Sequence, residues 1–291
     1  MEPILMYGQP VADKILDEVK EHLNNCSEPS KLAIVSVGND AASEVYMRNK
    51  IKTAKKCGIV AEGFHFGADV DYSEVVNTIF YLNRTHDGVI VQLPLPKHFP
   101  TETIIDSINY SRDVDCLSEA MTGAFYKGRS WCNPCTPQAV MDILAYYNIE
   151  LKGKNVVVIG RSQLVGRPVA ELMLREDATV TICHSKTSRY ELLHAFAHAD
   201  VVVSAAGVAN LITEEDAYQY WKDNRHDTYG DFAFKRDRVI VDVSINRDVA
   251  GKLCGDFAEE FKQKYSSHYT PVPKGVGPVT VAELMRNVVS Y

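Results

Sequence analysis

The chain has 291 residues, of which 46% are hydrophobic and 24% are charged, as is ordinary for a globular protein large enough for two domains. Its net charge of −7 and the lack of a basic tract argue against a nucleic-acid partner. No apolar run reaches the ~18 residues that a membrane helix needs, and no signal-peptide pattern begins the chain. Its seven cysteines are scattered and odd in number, which predicts reduced thiols and a cytoplasmic location.

The first half of the chain alternates helical and strand patterns. In chain order they predict a helix at 11–23, a strand at 32–37, a helix at 43–57, a strand at 60–66, a helix at 72–82, a strand at 88–93 and a helix at 137–147. Such alternation is typical of an α/β domain with a parallel sheet.

A second α/β unit follows, and its elements resemble a nucleotide-binding sheet. Strands are predicted at 156–159, 179–182, 201–204 and 239–243, with helices at 168–174 and 278–289. The segment 213–238 is long for a connection between two strands. We expect one domain at 1–147, to which 271–291 returns, and a Rossmann-like domain at 148–270.

A glycine turn is the most informative feature of the second unit. The apolar run 156–159 ends at Gly160, Gly166 follows six residues later, and a helical pattern begins at once. A helix starting there would direct bare N–H groups and its positive dipole end at an anion. The spacing departs from the usual G-x-G-x-x-G pattern. We expect this turn to hold a nucleotide phosphate.

The next strand ends without the acidic residue that usually marks NAD binding. Ser185 and Lys186 stand there instead, and Arg161 lies in the glycine turn. A carboxylate would repel a ribose 2′-phosphate, whereas these residues would not. The residues therefore favour NADP.

Three polar features of the first unit could carry chemistry. Tyr46 and Lys50 are four positions apart on one helical face, where they could serve proton transfer or merely face solvent. Gln92 ends an apolar strand, at the edge where ligands bind in open sheets, although it could equally cap a turn. Asp113 and Asp115 lie in a loop that could bind a polar ligand or be solvated.

Two further motifs have no clear chemistry of their own. The segment 270–280 is a Pro/Gly loop that opens the last helix; it could approach a flat ligand through its backbone or simply join two domains. Cys132 and Cys135 form a single C-x-x-C without the second pair that a zinc site needs. We expect no metal.

The ordered set of motifs resembles the bifunctional methylenetetrahydrofolate dehydrogenase/methenyltetrahydrofolate cyclohydrolase family. The matching strings are Tyr46 with Lys50, 87–96, 113–115, 134–137, 158–168, 183–187 and 270–280. They run from about residue 40 to the end of the chain in the family's order.

The resemblance implies roles for individual residues. Lys50 matches the catalytic lysine, Tyr46 the tyrosine that stacks on the folate, and Gln92 the glutamine that tunes the lysine. Asp115 matches the aspartate that holds the pterin-like ring, and Ser43 a serine of the same pocket. The substrate-binding set is completed by Pro273, Gly275 and Gly277. The cofactor-binding set is Gly160, Arg161, Ser162, Gly166, Ser185 and Ile245.

The chain also departs from the family at several positions. Glycines usual in the family are replaced by Cys116, Ser244 and Lys274, and a usual asparagine by Met121. The proposed catalytic residues are unchanged.

The resemblance implies an NADP-dependent oxidation of 5,10-methylenetetrahydrofolate, followed by hydrolysis of the 5,10-methenyl product to 10-formyltetrahydrofolate. A homodimer that binds tetrahydrofolate derivatives, without nucleic acid or membrane, is also expected. Two alternatives stay open: a dehydrogenase without the hydrolytic step, and a non-catalytic folate- or nucleotide-binding protein.

Overall fold

The computed structural model describes residues 2–38, 41–224, 237–248 and 250–290. Its residues divide into two compact units. One contains the chain up to Val11 together with Thr136–Val279, and the other contains Ala12–Cys135 together with the residues from Thr280 onward. The first unit contains a six-stranded sheet and a two-stranded one, and the second contains a three-stranded sheet. The six-stranded sheet is the larger sheet and the three-stranded sheet the smaller one.

The first half of the chain runs through four strands and six helices of the described residues. They are β1 (Ile4–Leu5), α1 (Gly8–Leu23), β2 (Lys31–Val37), α2 (Ala41–Cys57), β3 (Val60–Phe66), α3 (Tyr72–Thr85), β4 (Gly88–Val91), α4 (Thr101–Asp106), a 3₁₀ turn (Tyr110–Arg112), α5 (Glu119–Tyr126) and α6 (Cys135–Tyr146).

The remaining described elements belong to the second half of the chain. They are β5 (Asn155–Ile159), α7 (Gly166–Arg175), β6 (Thr179–Cys183), α8 (Arg189–His198), β7 (Val201–Ser204), α9 (Glu214–Asn224), β8 (Val239–Asp242), β9 (Asn246–Arg247), β10 (Leu253–Cys254), α10 (Glu259–Tyr265), β11 (His268–Tyr269) and α11 (Val276–Val289).

The larger sheet has the order β1-β11-β8-β7-β5-β6, and all of its pairs are parallel. The chain passes from β5 to β6 on one side, and then to β7 on the other side of β5. Such a reversal of strand order leaves a crevice at the carboxyl ends of the strands, where open α/β sheets bind ligands. The glycine turn follows β5 at this place.

The smaller sheet has the order β3-β2-β4 and is also parallel. Its core joins β2 and β4 to helices α1 and α2, and to Leu284, Met285 and Val288 of α11. The last helix thus packs back on the first α/β unit, as the sequence predicts.

The predicted strands and helices are found, with differences at their ends. The strand predicted at 88–93 ends at Val91, and the helix predicted from 168 begins at Gly166. The long segment 213–238 contains α9, and its residues 225–236 lie outside the described ones.

The division into units differs from the predicted domain boundaries. The chain up to Val11, residues 136–147 and residues 271–279 lie with the larger sheet, whereas the prediction places all three with the smaller one. As functional boundaries, 1–147 with 271–291 and 148–270 stay a prediction. Within the described residues, no helix is both long and apolar enough to cross a membrane.

Candidate active site and cofactor site

Lys50 and Gln92 meet in the unit built on the smaller sheet. Lys50 lies on α2, and Gln92 directly follows β4, where its N–H donates to the Val35 carbonyl at 2.7 Å. The Lys50 Nζ donates to Gln92 Oε1 at 3.0 Å, while Gln92 Nε2 donates to the Leu93 carbonyl at 3.0 Å. The second bond orients the amide so that its oxygen faces the lysine. The predicted pair is therefore one hydrogen-bonded group.

Tyr46 and Ser43 share α2 with Lys50. Residues four positions apart on a helix lie on one face, so Tyr46 stands one turn from Lys50. The Tyr46 side chain is 42% exposed, and Ser43 is half-buried. An exposed ring beside an amine suits a flat ligand that carries polar groups on one edge.

The loop that carries Asp115 is held rigid by its neighbour Asp113. The Asp113 carboxylate is buried and accepts bonds from Leu117 N at 3.2 Å, from Ser118 N at 2.8 Å and from Ser118 Oγ at 2.6 Å. Burial raises the pKa of the Asp113 carboxyl, while the Ser118 bonds oppose that shift. The interpretation of this loop as solvated is wrong for Asp113, which is structural. Asp115 is only half-buried and accepts from Cys135 N at 3.4 Å.

Three buried thiols support the same loop, a role that the sequence did not reveal. The Sγ atoms of Cys132 and Cys135 donate to the carbonyls of Asp113 and Val114, at 3.8 and 3.4 Å, and Cys116 Sγ donates to the Cys132 carbonyl at 3.5 Å. A hydrogen bond with Cys116 and burial raise the pKa of the Cys132 thiol, and burial raises the pKa of the Cys135 thiol. Protonated, buried thiols of this kind are structural.

Asn287 is a second supporting residue that sequence reasoning missed. It lies on α11, and its Nδ2 donates to the carbonyls of Val114 at 2.9 Å and Asn133 at 3.0 Å. No local pattern could have indicated it, because its partners are more than 150 positions away along the chain.

The glycine turn of the other unit has the conformation that its sequence requires. Gly160 has a φ of 128°, and a Cβ there would collide with the Ala205 carbonyl. A Cβ on Gly166 would collide with the Gly160 carbonyl. Both positions therefore exclude any side chain, and the backbone stays open to a close ligand.

The start of α7 is not bare, which corrects one expectation. Ser162 Oγ accepts from Val165 N at 3.2 Å and Gly166 N at 3.3 Å, and the Ser162 carbonyl accepts from Arg167 N at 3.1 Å. Ser162 thus accepts hydrogen bonds from the backbone N–H groups at the start of α7 that would otherwise be free to bind an anion. An arriving phosphate would meet the exposed Ser162 and Arg161 side chains.

The residues expected around the rest of the cofactor lie at the same sheet edge. Ser185 follows β6 and Ile245 follows β8, and both are exposed. Lys186 N donates to His184 Nδ1 at 3.1 Å, which fixes the backbone after β6. The strand end carries no carboxylate in the segment 183–187, so it suits a 2′-phosphate better than a bare ribose.

The Pro/Gly loop belongs to this unit as well. A Cβ at Gly275 would lie 2.6 Å from the Pro271 carbonyl oxygen, so glycine is required there by the fold. A Cβ at Gly277 would meet no described atom within 4 Å. Pro273 is exposed and follows a cis peptide bond with Val272. The fold thus explains Gly275 but not Gly277.

Profile comparison identifies the family. The catalytic domain of tetrahydrofolate dehydrogenase/cyclohydrolase matches residues 6–115, and the NAD(P)-binding domain of the same family matches residues 134–219 and 229–291. The chain belongs to this family.

Similar proteins span nearly the whole chain. The bifunctional protein FolD of Methanoculleus marisnigri is 38% identical over 286 residues, which cover 98% of this chain and 94% of that protein. The FolD of Agathobacter rectalis is 39% identical over 290 residues, which cover 98% of this chain and 97% of that protein.

Solved structures give the same result. The bifunctional FolD of Campylobacter jejuni has a TM-score of 0.88 at 37% identity and covers 98% of this chain and 96% of its own. The Trypanosoma brucei FolD, complexed with NADP cofactor and an inhibitor, has a TM-score of 0.88 at 31% identity. The match covers 100% of this chain and 97% of the T. brucei chain.

The residues that depart from the family pattern have defined places in the structure. Cys116 and Lys274 stand where the resemblance expects glycine, and both have positive φ, 61° and 87°. The two loops thus keep a backbone that favours glycine while carrying side chains. Ser244 accepts from Gly207 N at 3.0 Å. Met121 is fully buried in α5.

Proposed function

We propose that the chain oxidises 5,10-methylenetetrahydrofolate with NADP and hydrolyses the methenyl product to 10-formyltetrahydrofolate. The observation that carries the proposal is the Lys50–Gln92 hydrogen bond of 3.0 Å beside Tyr46. It joins the two residues that proton transfer in the hydrolytic step would need. The family supplies the reaction, and this pair argues against loss of its second half.

The residues of the glycine turn fit a dinucleotide. Gly160 and Gly166 exclude side chains from the turn, and Arg161, Ser162 and Ser185 are exposed around it. When bound, NADP supplies the acceptor for the hydride that leaves the carbon between the two folate nitrogens. The carbocation that remains is resonance-stabilised, so the protein chiefly orients two flat rings.

Lys50 has its chemical task in the hydrolytic step. Water adds to the methenyl carbon and loses a proton, which leaves a neutral hydroxyl adduct. The hydroxyl then loses its own proton as the C=O bond forms, the carbon–N5 bond breaks and N5 gains a proton, so that one proton is released overall. The Lys50 Nζ can accept and return these protons, because Gln92 holds it at one place. Tyr46 stacks on the folate ring, and Asp115 accepts from the N–H groups of its aminopyrimidinone edge.

The proposal is tested by two separate absorbance assays of the purified protein. The first follows methenyl formation from methylenetetrahydrofolate, with NADP and NAD in parallel. The second follows loss of the methenyl absorbance without any cofactor. Turnover in both supports the proposal. Turnover in the first alone indicates a monofunctional dehydrogenase, and binding without turnover indicates a non-catalytic protein.

Arg161 provides a test of cofactor preference. Arg161→Ala removes the guanidinium that would pair with the 2′-phosphate, at a cost of ~1.5–3 kcal/mol or roughly ten-fold or more in affinity. Calorimetry should show that NADP binding weakens by that factor while NAD binding changes little. Arg175→Ala is the control, since Arg175 pairs with Glu171 at the far end of α7. Equal weakening of both cofactors would contradict the assignment.

Two finer expectations belong to the same proposal. We expect a homodimer, which sedimentation of the purified protein measures directly. We expect a cytoplasmic location, which imaging of the tagged full chain checks. The functional domains 1–147 with 271–291 and 148–270 are likewise proposed.

A further inference from the structure

A buried carboxylate lies behind the cofactor edge of the larger sheet. Asp256 has no solvent exposure, and its carboxylate accepts five hydrogen bonds. The donors are Ser204 Oγ at 2.6 Å, Ala206 N at 2.9 Å, Val208 N at 2.8 Å, Ser244 Oγ at 2.8 Å and Asn246 Nδ2 at 3.0 Å. So many donors satisfy the carboxylate without any counterion.

The five donors come from two neighbouring loops. Ser204 ends β7, and Ala206 and Val208 belong to the loop that follows it. Ser244 follows β8, and Asn246 begins β9. Since β7 and β8 are adjacent parallel strands, both loops leave the same carboxyl edge. Asp256 therefore ties the two loops to one point.

One of these loops supports the glycine turn directly. Ala205 N donates to the Ile159 carbonyl at 2.7 Å, and the Ala205 carbonyl is the group that a Cβ on Gly160 would strike. Ala205 precedes Ala206, which is bonded to Asp256. A shift of the loop after β7 would therefore move the backbone against which the glycine turn packs.

Asp256 is itself fixed from behind by a second buried carboxylate. Asp242 accepts from Asp256 N at 3.0 Å and from Phe257 N at 3.1 Å. The Lys262 ammonium lies 3.9 Å from Asp242 and donates to the Thr270 carbonyl at 3.0 Å. The backbone of Asp256 is thus held in place behind its carboxylate, which binds the two loops.

We propose that Asp256 is a positioning residue for NADP, holding the loops after β7 and β8 in the conformation that receives the cofactor, and that Ser244 extends this support to Gly207. Ser244 Oγ donates to Asp256 and accepts from Gly207 N, and thereby links the two loops to each other. The role rests on the proposed function, because it presumes that the glycine turn binds the cofactor.

The test compares cofactor binding with the cofactor-free half-reaction. Asp256→Asn replaces one acceptor oxygen by an NH₂ that faces donors, so the loops must move. Calorimetry should show NADP binding weakened about ten-fold or more, with the KM for NADP raised alike. Methenyl hydrolysis without cofactor should keep its KM within about two-fold, which a general loss of structure would not allow.

Two further variants complete the design. Asp177→Asn makes the same chemical change at an exposed carboxylate of the same unit, with a φ of 60° that asparagine tolerates, and should change nothing. Ser244→Ala removes two hydrogen bonds and should weaken NADP binding about two- to ten-fold. If Asp256→Asn fails to fold, the effect of Ser244→Ala on NADP binding tests the proposal instead.

The outcomes are distinct. Unchanged NADP binding in folded Asp256→Asn, or in Ser244→Ala if the former is unfolded, overturns the proposal. Parallel loss of cofactor-free hydrolysis also overturns it, because the role would then be purely structural. If the wild type lacks both activities, the proposed function fails, yet the calorimetric comparison still measures what Asp256 does for NADP binding.

Discussion

At the scale of single residues, the Lys50–Gln92 bond makes the sharpest prediction. Lys50→Met keeps an unbranched side chain, one atom shorter, but removes the amine that transfers the proton. Methenyl hydrolysis should fall by ~10²–10⁴-fold, the usual worth of positioned proton transfer, whereas methenyl formation should fall much less. Lys55→Met, at an exposed position of the same helix, is the matched control. Hydrolysis that survives Lys50→Met within a few-fold would remove Lys50 from the mechanism.

Lys274 carries a cost that a glycine would not. Its φ of 87° disfavours any side chain, and its exposed side chain leaves little packing to lose. Lys274→Gly should raise the free energy of unfolding by about 1 kcal/mol, the strain relieved less the extra freedom of the unfolded chain. Lys274→Ala keeps the Cβ and should gain nothing. Denaturant titration of the three proteins decides, and an equal effect of both substitutions would show that strain is not the cause.

The proposed catalytic pair could be singled out from sequence more readily than the residues that hold the loops of the two units. A helical spacing and a polar end to an apolar strand singled out Lys50 and Gln92 as candidates, and the family resemblance implied their roles. Asp256, Asn287 and the thiol of Cys132 act through contacts between distant segments. Local patterns contain no such information, so the sequence indicated none of these supporting roles.

At the scale of elements, the start of α11 is a place where one substitution should affect stability and substrate binding in opposite ways. Gly277 lies in the first turn of this helix, and a Cβ there would meet no described atom. Gly277→Ala should therefore raise stability by up to ~1 kcal/mol. If the loop approaches the folate, the same methyl group should raise the KM for folate roughly five-fold or more, as overpacking costs ~1–3 kcal/mol.

Gly123 offers the comparison for that experiment. It lies in α5, is exposed, and has equal room for a Cβ. Gly123→Ala should stabilise the protein without changing either KM. A Gly277→Ala enzyme with unaltered kinetics would mean that this loop keeps its distance from the substrate.

Elements with strong periodic patterns were predicted, whereas several short elements and the helices α8 and α9 were not. The buried parallel strands are continuous β-branched runs such as Val156–Ile159, each at most 3% exposed, which is a direct signal. The two-residue strands β9 and β10 bury little, and their sequences contain no pattern that indicates a strand. Helix α8 was not predicted, although its sequence does contain a helix-start pattern. Ser188 caps the helix, and Glu191 stands three residues later.

At the scale of the whole molecule, one buried histidine of the smaller-sheet unit predicts a loss of stability in acid. His86 is 7% exposed, and its Nε2 is buried without a hydrogen-bond partner among the described residues. Burial lowers the pKa of His86 below its usual 6.5, with Lys31 acting in the same direction and Glu62 and Asp87 opposing. The folded unit therefore resists protonation of a ring that the unfolded chain protonates freely.

That difference fixes the sign of the pH dependence. Above pH 6.5 both states hold a neutral ring, and the full stability is present; as the pH falls from 6.5 through the lower folded pKa, the unfolded state takes up the proton first and stability is lost. His86→Phe keeps a ring beside Phe64, which packs edge-on to His86 at 5.9 Å. Denaturant titrations between pH 7.5 and about pH 5 should show a smaller loss of stability in the variant. The raised pKa of Asp113 acts equally in both proteins, so identical slopes for wild type and variant would exclude His86 as the acid-sensitive group.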